Sequence, residues 1–258
     1  MLPILFSIEG GLATITLNRP DKLNSFNREM ALLLQQQLDE CDNLHNIRCV
    51  LITGAGKGFC AGQDLAEVVD PNGPGMQRIL SEHYNPIITR IRNLQKPVVA
   101  AVNGVAAGAG ANIALACDIV VAAQSASFIQ AFSKLSLIPD SGGTYMLPRL
   151  IGWQKASAIM MLGDKIPAAQ AEQWGMIYKV FSDETFLAES QKIAQTLSQL
   201  PTKGLAYTKQ ALTASMTNSL EQQLLLEDEL QQKAANTHDF KEGIQSFLEK
   251  RIPQFKGE

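Results

Sequence analysis

Three glycine-rich stretches hold the residues best suited to chemistry: GAGKGFCAGQDL at Gly54–Leu65, NGVAAGAGAN at Asn103–Asn112 and PDSGG at Pro139–Gly143. Each follows an apolar, strand-like run or opens a helix-like one. Small residues let a ligand approach backbone N–H groups, and a helix start adds a positive dipole end. Such groups stabilise an anion. Taken singly, each stretch is a weak signal, since glycine before a helix is usually only a tight turn. GVAAGAG lacks the GxGxxG spacing and the following acid of a dinucleotide site, and no GxxxxGK-S/T phosphate loop occurs.

Proton transfer needs a titratable side chain within reach of those donors, and few are present. From Pro97 to Pro148, 52 residues hold only Asp118, Lys134 and Asp140 as charged groups, where 18% of 52 would be about nine. Asp118 precedes a strand-like run and reads as structural. Asp140 lies in Pro-Asp-Ser-Gly, an ordinary turn sequence. Beside an apolar, glycine-lined cavity the same carboxylate would have a raised pKa and serve as a proton shuttle. His45, His83 and His238 are widely separated and the four cysteines form no CxxC, so no metal site is expected. Cys41, Cys49, Cys60 and Cys117 sit in or beside apolar runs, the pattern of buried, reduced thiols in a cytoplasmic protein.

The elements that must position these groups follow from the apolar pattern. Ile4–Ile8 and Leu12–Leu17 alternate around Gly10-Gly11 as a hairpin. Asn24–Asn27 precedes a helix with Met30, Leu34, Leu38 and Cys41 on one face. Strands are expected at 49–53, 97–102 and 119–122, and helices at 76–94 and 108–116. After about residue 144 the pattern is almost entirely helical. A chain of 258 residues with 46% apolar content supports one large domain or a domain with an appendage. The expectation is an α/β core over 1–195 followed by a helical segment over 196–258, in which Leu220–Leu230 reads as a packing or subunit-contact helix. The net charge of −3 and pI near 5.7 argue against a nucleic-acid partner. The N-terminal residues lack the basic flank of a signal peptide. The longest uncharged run, Pro97–Cys117, reads as strand, turn and helix rather than a membrane span.

Taken together, the motifs resemble the enoyl-CoA hydratase/isomerase (crotonase) superfamily over essentially the whole chain. The matching pieces are LNRPDKLNSFN, LITGAGKGFCAGQDL, KPVVAAVNGVAAGAGANIALACDI, FSKLSLIPDSGGTYMLPRLIG and EGIQSFLEKRIPQF. The resemblance implies an α/β fold, a spiral of ββα units with a C-terminal helical trimerisation segment. It also implies acyl-CoA thioester substrates, a homotrimer or hexamer, and no separate cofactor. Residue by residue, it places the two backbone donors of an oxyanion hole at Gln63 and Ala109. The substrate-contacting neighbours fall at Ala61, Gly62, Asp64, Leu65, Gly108 and Gly110. Lys22 and Leu23 are implied for the coenzyme A nucleotide, with Phe247 and Lys250 acting from a helix that contacts a neighbouring subunit.

Members of this superfamily differ in their carboxylates. The two glutamates of a hydratase fall here on Asn112 and Phe132, so water addition by that route is not expected. Asp140 stands where isomerases carry an aspartate. AFSKLSLIPDSGG together with NGVAAGAGA and GKGFCAGQDL resembles the ring-epoxide isomerases of phenylacetate degradation, which convert 1,2-epoxyphenylacetyl-CoA to oxepin-CoA. Related activity shifts an enoyl-CoA double bond. Asp140 is then the acid/base. Phe132 lines the acyl pocket or packs in the core; Asn112 bonds substrate or caps local backbone; Tyr145 reaches the pocket or packs. Asp64 reads as ordering its own loop. Two alternatives are a hydrolase like 4-chlorobenzoyl-CoA dehalogenase, with Asp140 as nucleophile and His83 near the water-activating position, and a non-catalytic CoA-binding homologue.

Overall fold

The hairpin at Gly10-Gly11 forms as β1 (Ile4–Glu9) and β2 (Leu12–Leu17), paired antiparallel from Ile4↔Leu17 to Glu9↔Leu12. The computed structural model describes residues 2–258. The Asn27 side chain accepts from the Met30 N–H and starts α1 (Arg28–Asn43), which buries Met30, Leu34, Leu38 and Cys41 as their spacing predicts.

After α1 the chain makes the same move three times. β3 (Cys49–Gly54) is followed by β4 (Gly58–Cys60), β5 (Val98–Val102) by β6 (Val105–Ala107), and β7 (Ile119–Ala123) by β8 (Ser127–Ile129). The first strand of each pair joins a large sheet and the second a small one. A helical stretch closes each unit. After β4 come α2 (Leu65–Val69), α3 (Gly75–Arg78), a π-helical turn (Ile79–Tyr84) and α4 (Asn85–Asn93). After β6 comes α5 (Ala109–Ala116), and after β8 a 3-10 turn (Ala131–Leu135), α6 (Gly143–Ile151) and α7 (Trp153–Leu162). β9 (Lys165–Pro167), α8 (Ala168–Gln173) and β10 (Lys179–Phe181) complete the sheets. Their orders are β1-β2-β3-β5-β7-β10 and β4-β6-β8-β9. This is the expected spiral of ββα units. Sequence reading missed the small sheet and β10 because each of those strands is three residues long, too short for an alternation to register.

The charge-poor stretch has a direct cause. β5 is buried throughout, and all eight residues of α5 are buried. A helix buried on every side has no face on which a charge can be solvated. The four cysteines are buried and unpaired. Burial pushes the Cys41, Cys49 and Cys60 thiols up to about 12. Among the described residues, no helix is long and apolar enough to cross a membrane.

The C-terminal helices are α9 (Phe186–Gln199), α10 (Thr202–Ser215), α11 (Leu220–Ala235) and α12 (His238–Glu249). The boundary expected at 195/196 falls inside α9, whose Ala194 belongs to the main core. Arg48 fastens the C-terminal helices, donating from Nη2 to the Leu200 carbonyl (2.7 Å) and from Nη1 to the Phe255 carbonyl (2.8 Å).

Asp118 joins the core to α10. Its carboxylate accepts from the Val98 N–H (2.8 Å) and pairs with buried Lys209 (2.8 Å), with Arg92 at 3.6 Å. Asp118→Asn should keep the bond to Val98 but leave Lys209 without its closest counter-charge. Unpaired buried charge is costly, so the variant should lose about 3 kcal/mol in urea unfolding. A midpoint matching the parent protein would show that Arg92 and backbone carbonyls suffice.

Candidate functional site

The loop leaving β4 runs beside the residues preceding α1. Phe26 donates its N–H to the Gly62 carbonyl (2.7 Å), and the Asp64 N–H donates to the Phe26 carbonyl (2.8 Å). This pairing uses the peptide groups on either side of Gln63 and turns the Gln63 N–H the opposite way. Gly62 has φ +91°, and a Cβ there would lie 2.9 Å from the Ala107 carbonyl oxygen, so a side chain is excluded on both grounds. Across this contact, Gly108 (φ +52°) follows β6 and Ala109 opens α5, where an N–H has no intrahelical acceptor. Among the described residues, neither the Gln63 nor the Ala109 N–H meets an acceptor.

Both residues line one cavity of about 430 Å³. Ala61, Gly62, Ala107 and Gly108 share its wall with them, and Val68, Met76, Ile79, Tyr84 and Phe132 make it apolar. Asp140 lines the same cavity. Burial raises the Asp140 carboxyl above its ordinary value, and a hydrogen bond from Ser141 Oγ to Oδ1 (2.8 Å) offsets this only in part. Asp64, the other cavity-lining carboxylate, behaves oppositely. Burial alone would raise it, but Arg19 (2.8 Å) and the Ala66 N–H (3.1 Å) outweigh that and hold it below its usual value. It caps α2 and orders its own loop, as expected.

The loop carrying the Gln63 N–H is clamped by its own side chain. Tyr84 OH donates to Gln63 Oε1 (2.9 Å), and Gln63 Nε2 donates to Glu67 Oε2 (2.8 Å). Glu67 Oε1 in turn accepts from the Arg28 N–H at the start of α1 (2.8 Å). Sequence reading passed over Tyr84 and Glu67. The π-helical turn that aims Tyr84 inward lies within what reads as an ordinary helix over 76–94.

Of the other expected contacts, Leu65 and Lys22 line the cavity and Lys134 joins them. Six do not line it. Gly110 lies flat on Cys60, where a Cβ would sit 2.5 Å from the Cys60 carbonyl oxygen, so its small size serves helix–strand packing. Asn112 is buried behind the wall and donates from Nδ2 to the Asp140 carbonyl (2.8 Å). Tyr145 is exposed, with the Arg149 guanidinium 3.7 Å over its ring. Leu23 turns outward, its carbonyl accepting from the Ala61 N–H (2.9 Å). Phe247 lies on α12 in a separate groove with Phe240 and Phe255, and Lys250 ends that helix. Within one chain these two stay apart from the cavity.

His83 is fully buried outside the cavity, its Nε2 3.2 Å from Arg28 Nη1, and burial lowers its pKa. The hydrolase alternative therefore lacks its water-activating histidine in the cavity wall. A larger hollow of about 610 Å³ adjoins Lys209, Asp118 and Arg92, but these ions are spent on one another. Among the described residues, no group of three or more His, Cys, Asp or Glu side chains could hold a metal ion. Two free N–H donors and one protonatable carboxylate in an apolar chamber can hold a developing oxyanion and move a proton.

The enoyl-CoA hydratase/isomerase family matches residues 7–258. The chain is 51% identical over 257 residues to the 1,2-epoxyphenylacetyl-CoA isomerase of Escherichia coli K12, covering 98% of each chain. It is 35% identical to the trans-2-decenoyl-[acyl-carrier-protein] isomerase of Streptococcus mutans, again over 98% of each. The crystal structure of an enoyl-CoA hydratase from Bacillus anthracis superposes with a TM-score of 0.93 at 33% identity, covering 99% of this chain and 100% of that one.

The raised Asp140 pKa fixes the sign of a stability effect. Folding favours the protonated carboxyl, so its contribution is complete below the unfolded-state value and is lost as pH rises through the folded one. Asp140→Asn, which imitates the protonated form, should melt above the parent at pH 7, with the gap closing below about pH 4. Equal melting temperatures at pH 7 would contradict a desolvated carboxylate.

Proposed function

The chain belongs to the enoyl-CoA hydratase/isomerase family, and on that footing we propose that it isomerises acyl-CoA thioesters. The reactions are conversion of 1,2-epoxyphenylacetyl-CoA to oxepin-CoA and migration of an enoyl-CoA double bond from the 3 to the 2 position. Each leaves the atom inventory unchanged and relocates a proton from the carbon next to the thioester carbonyl to a carbon further along. The epoxide conversion also breaks the ring C–C bond shared with the epoxide, whose electron pair passes into the double bonds of the seven-membered ring.

In this reading the thioester oxygen sits between the N–H groups of Gln63 and Ala109. Removing the adjacent proton throws negative charge onto that oxygen, and each preorganised donor is worth about 2.7–4 kcal/mol there. Asp140 takes the proton from one carbon and returns it to the other. One carboxylate suffices, because the acid formed in the first step is the acid needed in the second. The observation that carries the proposal is a raised-pKa carboxylate in the same cavity as two N–H groups without acceptors. Asp64 cannot substitute, since Arg19 keeps it a weak base.

A two-carboxylate hydration is disfavoured because Asn112 and Phe132 occupy the corresponding positions. The aromatic faces of Phe132 and Tyr84 in the wall suit a ring-bearing acyl group. Lys22 and Lys134 at the cavity favour an anionic coenzyme portion of the substrate. The proposal includes a trimer or hexamer through α10–α12, supported by exposed Leu220, Leu224, Leu225 and Phe247. A second copy would then supply Phe247 and Lys250. It needs no cofactor beyond the coenzyme A of the substrate, and the four free thiols fit a reducing cytoplasm.

Asp140→Asn and Asp140→Ala should retain acyl-CoA binding while losing isomerisation and exchange of the proton next to the thioester. Assays with 1,2-epoxyphenylacetyl-CoA and with cis-3-hexenoyl-CoA, read beside deuterium exchange, test this directly. Turnover preserved in either variant places the base elsewhere; hydration of crotonyl-CoA at a comparable rate favours a hydratase.

A further inference from the structure

We infer that Asn112 and Gln130 form a positioning pair that fixes the Asp140 peptide, and through it the aim of the carboxylate, during proton transfer. The inference rests on the isomerase reading of Asp140. Asn112 is 1% exposed and Gln130 2% exposed, and each is a neutral amide enclosed by protein. Asn112 Nδ2 donates to the Asp140 carbonyl (2.8 Å), and Gln130 Nε2 donates to Asn112 Oδ1 (2.8 Å). A carbonyl only accepts, so the Asn112 nitrogen must face Asp140 and its oxygen must face Gln130.

Three parts of the cavity wall meet at this pair. Asn112 is on α5, which begins with the Ala109 donor; Gln130 caps the 3-10 turn that carries Phe132; and the third part is the turn bearing Asp140. That turn needs restraint. Ser141 takes φ +51° although it has a side chain, and Gly142 follows at φ +75°. Consecutive left-handed residues persist only where the surroundings over-determine them. The Asp140 carbonyl is held twice, by the Gly143 N–H (2.8 Å) and by Asn112, while Ser141 Oγ holds the carboxylate itself.

The pair also carries a cost that packing alone does not explain. Gln130 Oε1 is buried and meets no hydrogen-bond partner among the described residues. Two apolar side chains would fill the space without an orphaned acceptor, but they would leave the Asp140 carbonyl held by the Gly143 N–H alone. A carboxylate at 112 would be worse once ionised, because it would face the lone pairs of the Asp140 carbonyl.

Kinetics of Asn112→Ala, Gln130→Leu and Asn112→Asp with cis-3-hexenoyl-CoA, together with calorimetric binding of hexanoyl-CoA, test the pair. Asn112→Ala and Gln130→Leu should lower kcat by up to about 10²-fold with KM and the hexanoyl-CoA Kd nearly unchanged. Asn112→Asp supplies a readout that simple packing would not move. Its protonated carboxyl can still donate to the Asp140 carbonyl, and its ionised form cannot. Its kcat should therefore gain a falling alkaline limb that the parent lacks. The ionisable groups of the cavity, Asp140, Tyr84, Asp64, Lys22 and Lys134, are common to both proteins, so the new limb belongs to position 112. Melting curves at each pH separate unfolding from lost aim, and if Asn112→Ala does not fold the other two variants decide.

Parent-like kcat in Gln130→Leu with no alkaline limb in Asn112→Asp overturns the inference. So does a kcat loss matched by equal losses of binding or melting temperature. An inactive Asp140→Asn beside fully active Asn112 and Gln130 variants removes only the positioning pair. An active Asp140→Asn removes the isomerase reading itself.

Discussion

Two peptide N–H groups, those of Gln63 and Ala109, face one cavity without meeting a protein acceptor among the described residues. Much of the surrounding architecture can be understood as holding them there. The Gln63 N–H is turned inward because its neighbours pair with Phe26, and the Ala109 N–H is free because it starts a helix. Gly62 and Gly108 adopt the left-handed backbone that lets the two segments approach. The donors themselves are backbone groups, and the Gln63 side chain acts only indirectly, by tying its loop to Tyr84 and Glu67. A side-chain substitution at Ala109 therefore leaves its donor in place, whereas one at Gln63 also breaks the clamp on the loop that carries its donor.

The same enclosure divides the labour between carboxylates. Asp64 and Asp140 line one cavity, yet Arg19 and a backbone N–H keep the first ionised while burial pushes the second toward neutrality. Environment rather than residue type separates a structural anion from a proton carrier. The low dielectric that raises Asp140 also strengthens the backbone donors, so the two halves of the proposed chemistry share one physical cause.

The scaffold behind the wall is correspondingly rigid and apolar. α5 is buried on all sides, which leaves Asp118 as the charge next to it, and that charge is consumed by Val98, Lys209 and Arg92. Several polar groups beside the cavity bind one another: Tyr84 with Gln63, Gln63 with the Glu67 carboxylate, Gln130 with Asn112 and Asn112 with the Asp140 carbonyl. Behind Asp140 itself the wall is fixed by two neutral amides, Asn112 and Gln130.

Much of this was legible in the linear chain. The apolar spacing of Met30, Leu34, Leu38 and Cys41, the hairpin at Gly10-Gly11 and the charge-poor run from Pro97 to Pro148 report local periodicity and burial, which a sequence records directly. The motif order carried the fold and drew attention to Gln63, Ala109 and Asp140. Tertiary structure decided what lies on which side of the wall. Asn112 and Gly110 belong to the same glycine-rich motif as Ala109, but along α5 they face elsewhere, Asn112 toward the Asp140 carbonyl and Gly110 onto Cys60. Tyr84 turns inward only because a π-helical turn shifts its phase, and the small sheet exists only because three-residue strands from distant segments pair. Periodicity and motif depend on neighbours along the chain; facing, reach and ionisation depend on neighbours across space.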